Sequence, residues 1–546
     1  MKGLTMEKAE TRVAMRALFA AGAVWLCATL PASSEGNFSL KVTAFKQAVA
    51  ESIAENEGVA AFYRGRDFAP IWTGQGEADR ARRAALIEAF SLADDHGLPK
   101  GRYNADLLLQ RMAQATDGRS RGLLEIELTN TFLSFANDLQ AGVLEPGKII
   151  EDIKRELPRR APQDLLTSLI DQDPKAVFRG LVPTSPEYTR LLRAKLTLEH
   201  KIRHGGWGQT VPAGRLSPGQ NGNAVVVLRN RLVAMGYLKP SLSMSYDSDM
   251  EAAVREFQED NALPDDGTAG PATMRAINTS PEERLKSIMV AMERERWLNL
   301  PGGRGERHVL VNLVDYHAQI IDNDKLTFET KSVIGAQDSS RRTPEFSDVM
   351  EHMVINPYWY VPQSIIKGSY LPALRSNPYA VGHLEFVDYR GRVVSRAAAA
   401  AYASSGNFPF TMRQPPGPSN ALGTVKFMFP NAYAIYLHDT PSQHLFSREV
   451  RTFSHGCIRL DDPHDFAYAL LARQMDDPQT YFQSTLRSGE NTKVMLEQPI
   501  PVHLIYRTAF TKAKGQMNYR NDVYGRDQII WRALNNEGVA LRTGRS

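Results

Sequence analysis

Ala434-Ile435-Tyr436-Leu437-His438-Asp439-Thr440-Pro441 is followed, with fifteen residues between His438 and Ser454, by Ser454-His455-Gly456-Cys457-Ile458-Arg459. The first segment is an apolar strand ending on a histidine, and the second sets a cysteine behind a glycine. Cysteine attacks as its thiolate, and a pKa of about 8.5 must fall for reactivity at neutral pH. An imidazole in hydrogen-bond reach does this by taking the proton, so two histidines near one thiol have a mechanistic reason. Gly456 gives the backbone room to turn and present N–H groups, as an oxyanion site requires. Arg459 can lower the thiol pKa or hold a carboxylate in its planar fork. The competing reading is a zinc site on His455 and Cys457, with His438 and His464 as further ligands. Structural zinc sites favour close-spaced pairs with several thiolates, which this chain lacks.

Around this segment the pattern is β-rich. His308-Val309-Leu310-Val311-Asn312, Ala318-Gln319-Ile320-Ile321 and Lys331-Ser332-Val333-Ile334-Gly335 read as strands, with Asp322-Asn323-Asp324 as a hairpin turn. Further strands are expected at Met353-Val354-Ile355, at 425–429 and at 434–438, and a helix at 463–473. Between about 363 and 420 the sequence leaves the strand pattern for alanines, aromatics and prolines, including Asn407-Phe408-Pro409-Phe410. A long insertion of that composition in a β domain reads as a cap over the site. Residues 307–505 are thus expected to form one domain, and 506–546 an extension with no role that sequence alone gives.

Upstream, 281–306 reads as a charged linker helix with Ile288, Ala291, Met292 and Trp297 on one side. Residues 214–280 read as a compact three-helix unit. One helix carries Val227, Leu228 and Leu232 and ends at Gly236, a second carries Met250, Val254 and Phe257, and a third starts near Pro271. From 40 to 205 apolar residues recur at three- and four-residue spacing, as a helical scaffold would show, with Ala69-Pro70-Ile71-Trp72 as a loop.

The chain has 546 residues, too many for one ordinary core, and its 42% hydrophobic and 23% charged content is that of a globular protein. A net charge of +4 gives no basic stripe of the kind nucleic acid needs. Arg12 and Arg16 precede an apolar run at 17–30 and then Pro31-Ala32-Ser33-Ser34, the order of a secretory signal over residues 1–34. That run rises about 21 Å as a helix against a hydrocarbon core of roughly 30 Å. An uncleaved anchor is the alternative. With the signal removed, Cys457 is the sole thiol, because Cys27 is the only other cysteine. It is then either a reactive group or a buried, inert one.

These motifs resemble known families. The three-helix unit is similar to PGBD-like peptidoglycan-binding modules in Gly236-Tyr237-Leu238, Ala253-Val254-x-x-Phe257-Gln258 and Asp266-Gly267-x-x-Gly270-Pro271-x-Thr273. His438 and Ser454-His455-Gly456-Cys457-x-Arg459 match the signature of L,D-transpeptidases of the YkuD type. Arg341-Arg342-Thr343-Pro344, Asn356-Pro357-Tyr358-Trp359 and 413–427 resemble the large YcbB-like branch. The fold implied is multidomain α+β: a helical N-terminal scaffold, a small three-helix wall-binding module, and a β-rich YkuD-type catalytic domain with a capping insertion.

The resemblance implies Cys457 as nucleophile and His438 as general base. It gives Ser454 and His455 a shaping role, with Tyr436 and the N–H groups of Gly456 and Cys457 in the oxyanion region. Arg459 fits a structural or carboxylate-holding role, and Trp359, Arg413 and Asn420 are candidate substrate contacts. The implied reaction joins peptidoglycan stem peptides, donor to acceptor, by 3→3 cross-links outside the cytoplasm, in the periplasm or cell envelope. It needs no metal or organic cofactor, and it implies acylation of the thiol by carbapenems. A carboxypeptidase, a cross-link hydrolase or a wall-protein anchoring transferase would use the same site, and a non-catalytic wall-binding protein is the remaining alternative.

Overall fold

The computed structural model describes residues 43–53, 56–405, 407–512 and 516–542. The signal-like segment 1–34, with Cys27, lies outside the described residues. No helix among the described residues is long and apolar enough to cross a membrane.

The β-rich part begins with β1 (Arg307–Asn312), β2 (His317–Asp322), β3 (Lys325–Gly335) and β4 (Phe346–Ile355). Between β2 and β3 only Asn323 and Asp324 remain, both at positive φ (48° and 61°), the two-residue connection whose twist suits antiparallel neighbours. Next come β5 (Trp359–Tyr360), β6 (Glu385–Val387), β7 (Val393–Val394) and β8 (Thr411–Gln414), all in or at the edge of the insertion. The chain returns through β9 (Val425–Met428), β10 (Leu437–His438), β11 (Thr452–Ser454), β12 (Ile458–Leu460) and β13 (Thr492–Ile505). Strands pair in the order β3-β12-β10-β9-β4-β13-β1-β2, and β2 pairs again with β3, so the sheet closes on itself. β11 adds to the other end of β3. Closure leaves Val309, Val311, Met353, Phe427, Leu437 and Ile458 fully buried in a shared core.

Three expectations change. The strand expected over 434–438 shortens to Leu437–His438, because Ala434 turns at φ +55° and the Asn431 side chain accepts from the backbone of Tyr433 and Ile435. The insertion does hold strands. It forms a four-stranded sheet, β5-β8-β6-β7, with short helices and its own core around Leu374, Phe386 and Met412. Strands of two to four residues are too short for alternation to register.

The third change is the largest. The helix Pro281–Trp297, which reads as a charged linker, is a central pillar with every residue from Ile288 to Trp297 buried. Its charges are paired inside the protein: Arg294 with Glu345 (2.5 Å) and Asp527 (3.0 Å), Arg296 with Glu293 (2.9 Å), and Glu295 with Arg304 (2.5 Å) and Arg507. Buried charges persist only when paired. Around this pillar pack the scaffold helix Pro186–Arg203 and the C-terminal helix Arg526–Asn536, through Tyr188, Leu191, Ile530 and Leu534.

In the scaffold, Glu125 on the helix Gly118–Ala141 is fully buried and accepts from the N–H groups of Ile71, Trp72 and Thr73, which pins the expected loop. The three-helix unit comprises Asn223–Met235, Ser248–Asp260 and Pro271–Ile277 around Leu228, Val254 and Ile277. Gln258 ties its turn, donating to Asp266 Oδ1 and the Thr268 carbonyl, each at 2.9 Å. The C-terminal extension is ordered too, as a hairpin of β14 (Ala509–Thr511) and β15 (Met517–Tyr519) before its helix.

Candidate active site

Strand pairing decides which side chains meet. β10 runs parallel to β12, with Leu437 beside Ile458 and His438 beside Arg459. It runs antiparallel to β9, with His438 beside Lys426. Leu437 and Ile458 point into the core, so alternation turns His438, Arg459 and Lys426 to the opposite face. The N–H of Ile458 donates to the Tyr436 carbonyl at 3.1 Å, which carries the register back to Tyr436 and Cys457.

The turn that presents Cys457 is tied by its own serine. Ser454 Oγ accepts from the Gly456 N–H at 3.0 Å and donates to the Cys457 carbonyl at 2.5 Å. Gly456 takes φ +117°, and a Cβ there would stand 3.1 Å from Ile435 Cδ1, so the position requires glycine. From outside, Thr343 Oγ1 donates to the Gly456 carbonyl at 2.7 Å and accepts from the Gly335 N–H at 2.9 Å. Tyr524, from the C-terminal extension, donates to the Gly335 carbonyl at 2.6 Å. The resemblance gives the Gly456 N–H an oxyanion role, but that N–H is committed to Ser454. The Cys457 N–H has no partner among the described residues.

Cys457 is free and partly exposed, with Sγ 3.5 Å from the Ala434 carbonyl. Burial pushes its pKa up to about 11, against the Tyr436 N–H and hydroxyl, Arg459 and Lys426, which favour the thiolate. The resting group is therefore a thiol. His438 is buried, and burial followed by Arg459 pulls its pKa down to about 3, so its ring is neutral. Its Nδ1–H donates to the Asp439 carbonyl at 2.5 Å, which leaves Nε2 as the basic nitrogen. Asp439 is itself locked: the Thr424 N–H and hydroxyl donate to Oδ2 at 2.8 and 2.7 Å. The His438 and Tyr436 ring centroids lie 5.6 Å apart, so Tyr436 stands beside the imidazole and bonds to the thiol.

Two cations share this face, and among the described residues neither pairs with a carboxylate. Arg459 Nε is buried without a hydrogen-bond partner, and burial lowers the pKa of its guanidinium. Lys426 Nζ lies 5.7 Å from the Tyr436 ring centre, and burial lowers its pKa as well. Sequence reasoning missed Lys426 as a site residue; the available signal was a lysine inside the apolar run Val425-Lys426-Phe427. It also missed Thr343 and Tyr524, which only the fold brings to the catalytic turn.

The other candidates differ in their surroundings. His455 is exposed and makes no hydrogen bond among the described residues; burial, then Arg341 and Arg459, lower its pKa. Trp359 packs edge-on against Tyr370 (6.4 Å) at the base of the insertion. Arg413 donates to Glu385 at 2.8 Å and lies over the Tyr358 ring at 4.6 Å. Asn420 lies deeper. It is fully buried, and its amide donates to the carbonyls of Pro357 (3.0 Å), Pro415 (2.9 Å) and Gln414 (3.3 Å), while Oδ1 accepts from the Leu422 N–H (2.8 Å). These bonds tie Pro357 and Pro415, before and within the insertion, to one side chain. Among the described residues no group of three or more His, Cys, Asp or Glu side chains is arranged to hold a metal, and His464 Nε2 engages Thr424 Oγ1 at 2.7 Å.

Residues 306–494, which hold this whole constellation, match the family model of the YkuD "L,D-transpeptidase catalytic domain". Over those residues the chain is similar to L,D-transpeptidase catalytic domains. Ahead of that domain, residues 57–194 match a "Scaffold domain" and 221–277 a "Putative peptidoglycan binding domain". A curated protein of Haemophilus influenzae named "Putative L,D-transpeptidase" is 32% identical over 256 residues. That match takes in 46% of this chain and 51% of the relative, so the chain spans about half of the relative's length. Among solved structures, an L,D-transpeptidase from Xylanimonas cellulosilytica is 14% identical, covering 54% of this chain and 99% of its own at a TM-score of 0.17. Another from Stackebrandtia nassauensis is 13% identical, covering 55% and 97% at 0.20.

Proposed function

We propose that this protein forms 3→3 cross-links in peptidoglycan through a thioester on Cys457. The observation that carries this reading is the free thiol of Cys457 on the same sheet face as His438, Arg459 and Lys426, within residues that match the L,D-transpeptidase catalytic domain. Cys457 Sγ attacks the carbonyl between the third stem residue, a diamino acid, and the terminal D-Ala, as His438 Nε2 takes the thiol proton. The Cys457 N–H and the Tyr436 hydroxyl stabilise the oxyanion. His438 then returns the proton to the leaving D-Ala amine, and the thioester remains. The side-chain amine of a second stem attacks it, gives its proton to His438, and regenerates the thiol. Arg459 and Lys426 attract the carboxylates of the stems, and as cations they partly offset the burial that keeps the resting thiol protonated.

The insertion acts as the cap, limiting water against the acceptor amine. The same nucleophile would accept a carbapenem, with the β-lactam carbonyl in place of the scissile amide. The substrate sets the location as the cell envelope. Purified protein with tetrapeptide donors, read by mass spectrometry, tests the outcome: a dimer joined through two diamino acids is expected. Tripeptides without dimer would make the protein a carboxypeptidase, and turnover that survives Cys457→Ala would remove the thioester altogether.

A further inference from the structure

A cavity of about 540 Å³ opens far from Cys457 in the fold, where the scaffold helix Pro186–Arg203, the three-helix unit, the pillar helix and the hairpin β14–β15 meet. Its volume is that of sites that take small ligands, roughly 300–1,000 Å³. Four cations line it, Arg190, Arg193, Lys201 and Arg284, and no aspartate or glutamate does. Carboxylates stand behind the lining rather than in it: Glu187 pairs with Arg190 at 2.9 Å, Asp260 accepts from the Tyr237 hydroxyl at 3.0 Å, and Glu256 accepts from the Gln516 amide.

Arg284 is the least compensated of the four. Its guanidinium lies 4.0 Å over the Tyr519 ring and donates to Asn261 Oδ1 at 2.7 Å, and it forms no ion pair among the described residues. The enclosure is tight enough that burial lowers its pKa. A desolvated cation that faces a cavity without a counter-ion favours an anion there. Arg193 stands exposed at the same cavity and forms no ion pair either. Trp207, Tyr237 and Tyr519 add aromatic faces on which a sugar ring or an apolar body can lie.

We propose that this cavity is a second wall-binding site, holding a carboxylate-bearing fragment of the peptidoglycan polymer apart from the thiol site. The proposal rests on the reading of peptidoglycan as the substrate, and it places the grip of the three-helix module at its seam with the scaffold. An anchored strand would keep stems near Cys457 by raising their effective concentration. Because the contacts are ionic, binding weakens with added salt.

The test uses the full chain with Cys457→Ala, titrated calorimetrically with a disaccharide-tetrapeptide, with the free tetrapeptide, and with a neutral N-acetylglucosamine tetramer. Thiol-site binding is common to parent and variant, so the difference on Arg193→Glu isolates the cavity. The expected result is a loss of affinity of about tenfold or more for the carboxylate-bearing probes on Arg193→Glu, the scale of one charge-assisted contact. A loss limited to the disaccharide-tetrapeptide assigns the ligand to the sugar-linked stem, and a loss on both assigns it to the peptide. The neutral tetramer is expected to bind no differently in the two proteins. Unchanged affinity for both carboxylate-bearing probes overturns the proposal. With Cys457 intact, the parent is expected to turn over soluble tetrapeptide. Absence of turnover in the parent would instead strike the catalytic reading, so the two failures are distinguishable.

Discussion

Thr343 Oγ1 donates a 2.7 Å hydrogen bond to the carbonyl of Gly456, across 113 positions of sequence. The same hydroxyl accepts from the Gly335 N–H, and the Gly335 carbonyl accepts from Tyr524. Thus β3, the Arg342-Thr343 loop and the C-terminal extension jointly fix the peptide plane just before Cys457.

Replacing Thr343 with valine keeps the shape and removes the hydroxyl, leaving a buried carbonyl and a buried N–H unpaired. The expected cost is about 1–3 kcal/mol per stranded group, seen as a lower urea midpoint at unchanged slope. Misplacement of Cys457 should lower kcat about 10- to 100-fold. Thr343→Ser restores both values in large part, whereas an equally damaged serine variant would mean that the methyl group, not the hydroxyl, matters.

The thiol pKa of about 11 has a direct readout. Iodoacetamide alkylation of the resting protein should rise about tenfold per pH unit between 7 and 10, following the thiolate fraction. Arg459 and Lys426 both lower this pKa, so Arg459→Met or Lys426→Met moves the profile to higher pH, by about one unit each. A flat profile at neutral pH would point to a preformed thiolate–imidazolium pair.

Acid should weaken the fold before its carboxylates titrate. His96, His438 and His503 are held neutral with pKa values of about 4, 3 and 3, each because of burial first. Unfolding returns each to about 6.5, so the unfolded chain binds more protons between these values. Their stabilising contribution is therefore complete above about pH 6.5 and is lost as pH falls toward 4, by up to about 1.4 kcal/mol per unit for each histidine. Melting temperatures measured from pH 7 to 4.5 should fall continuously, and His503→Gln should flatten that slope.

Glu345 joins three parts of the molecule at one buried carboxylate. It accepts from Arg294 of the pillar helix at 2.5 Å and from Arg526 of the C-terminal helix at 3.1 Å, while its N–H donates to the Asp152 carbonyl of the scaffold at 2.8 Å. Glu345→Gln leaves two buried guanidinium groups short of charge, and a loss of about 3–5 kcal/mol is expected in chemical denaturation. A loss below about 1 kcal/mol would mean that Asp527 and Asp152 carry the pairing alone.

What the sequence disclosed and what it hid follow from the range of the interactions. Ser454, Gly456 and Cys457 form a local turn, and His438 ends a strand, so their chemistry was legible in short windows. The barrel strands were legible by alternation, whereas β5 to β8 were too short to alternate. The pillar helix was misread because Glu293-Arg294-Glu295-Arg296 has the composition of a solvated face, and only the partners Glu345, Arg507 and Asp527 make it a core. Asn420 entered only through the family resemblance, and its amide bonds to the Pro357 and Pro415 carbonyls needed the fold to be seen. Thr343 stood in the quoted Arg341-Arg342-Thr343-Pro344 motif with no role assigned, and Tyr524 had no local signal.

The central claim is acyl transfer through Cys457. Its most direct test is intact-protein mass spectrometry after mixing the enzyme with a tetrapeptide donor and no acceptor. The predicted result is an adduct equal to the donor minus D-Ala, mapped to Cys457 and absent from Cys457→Ala. An adduct that retains D-Ala, or D-Ala release at the parent rate from the Cys457→Ala protein, would contradict it.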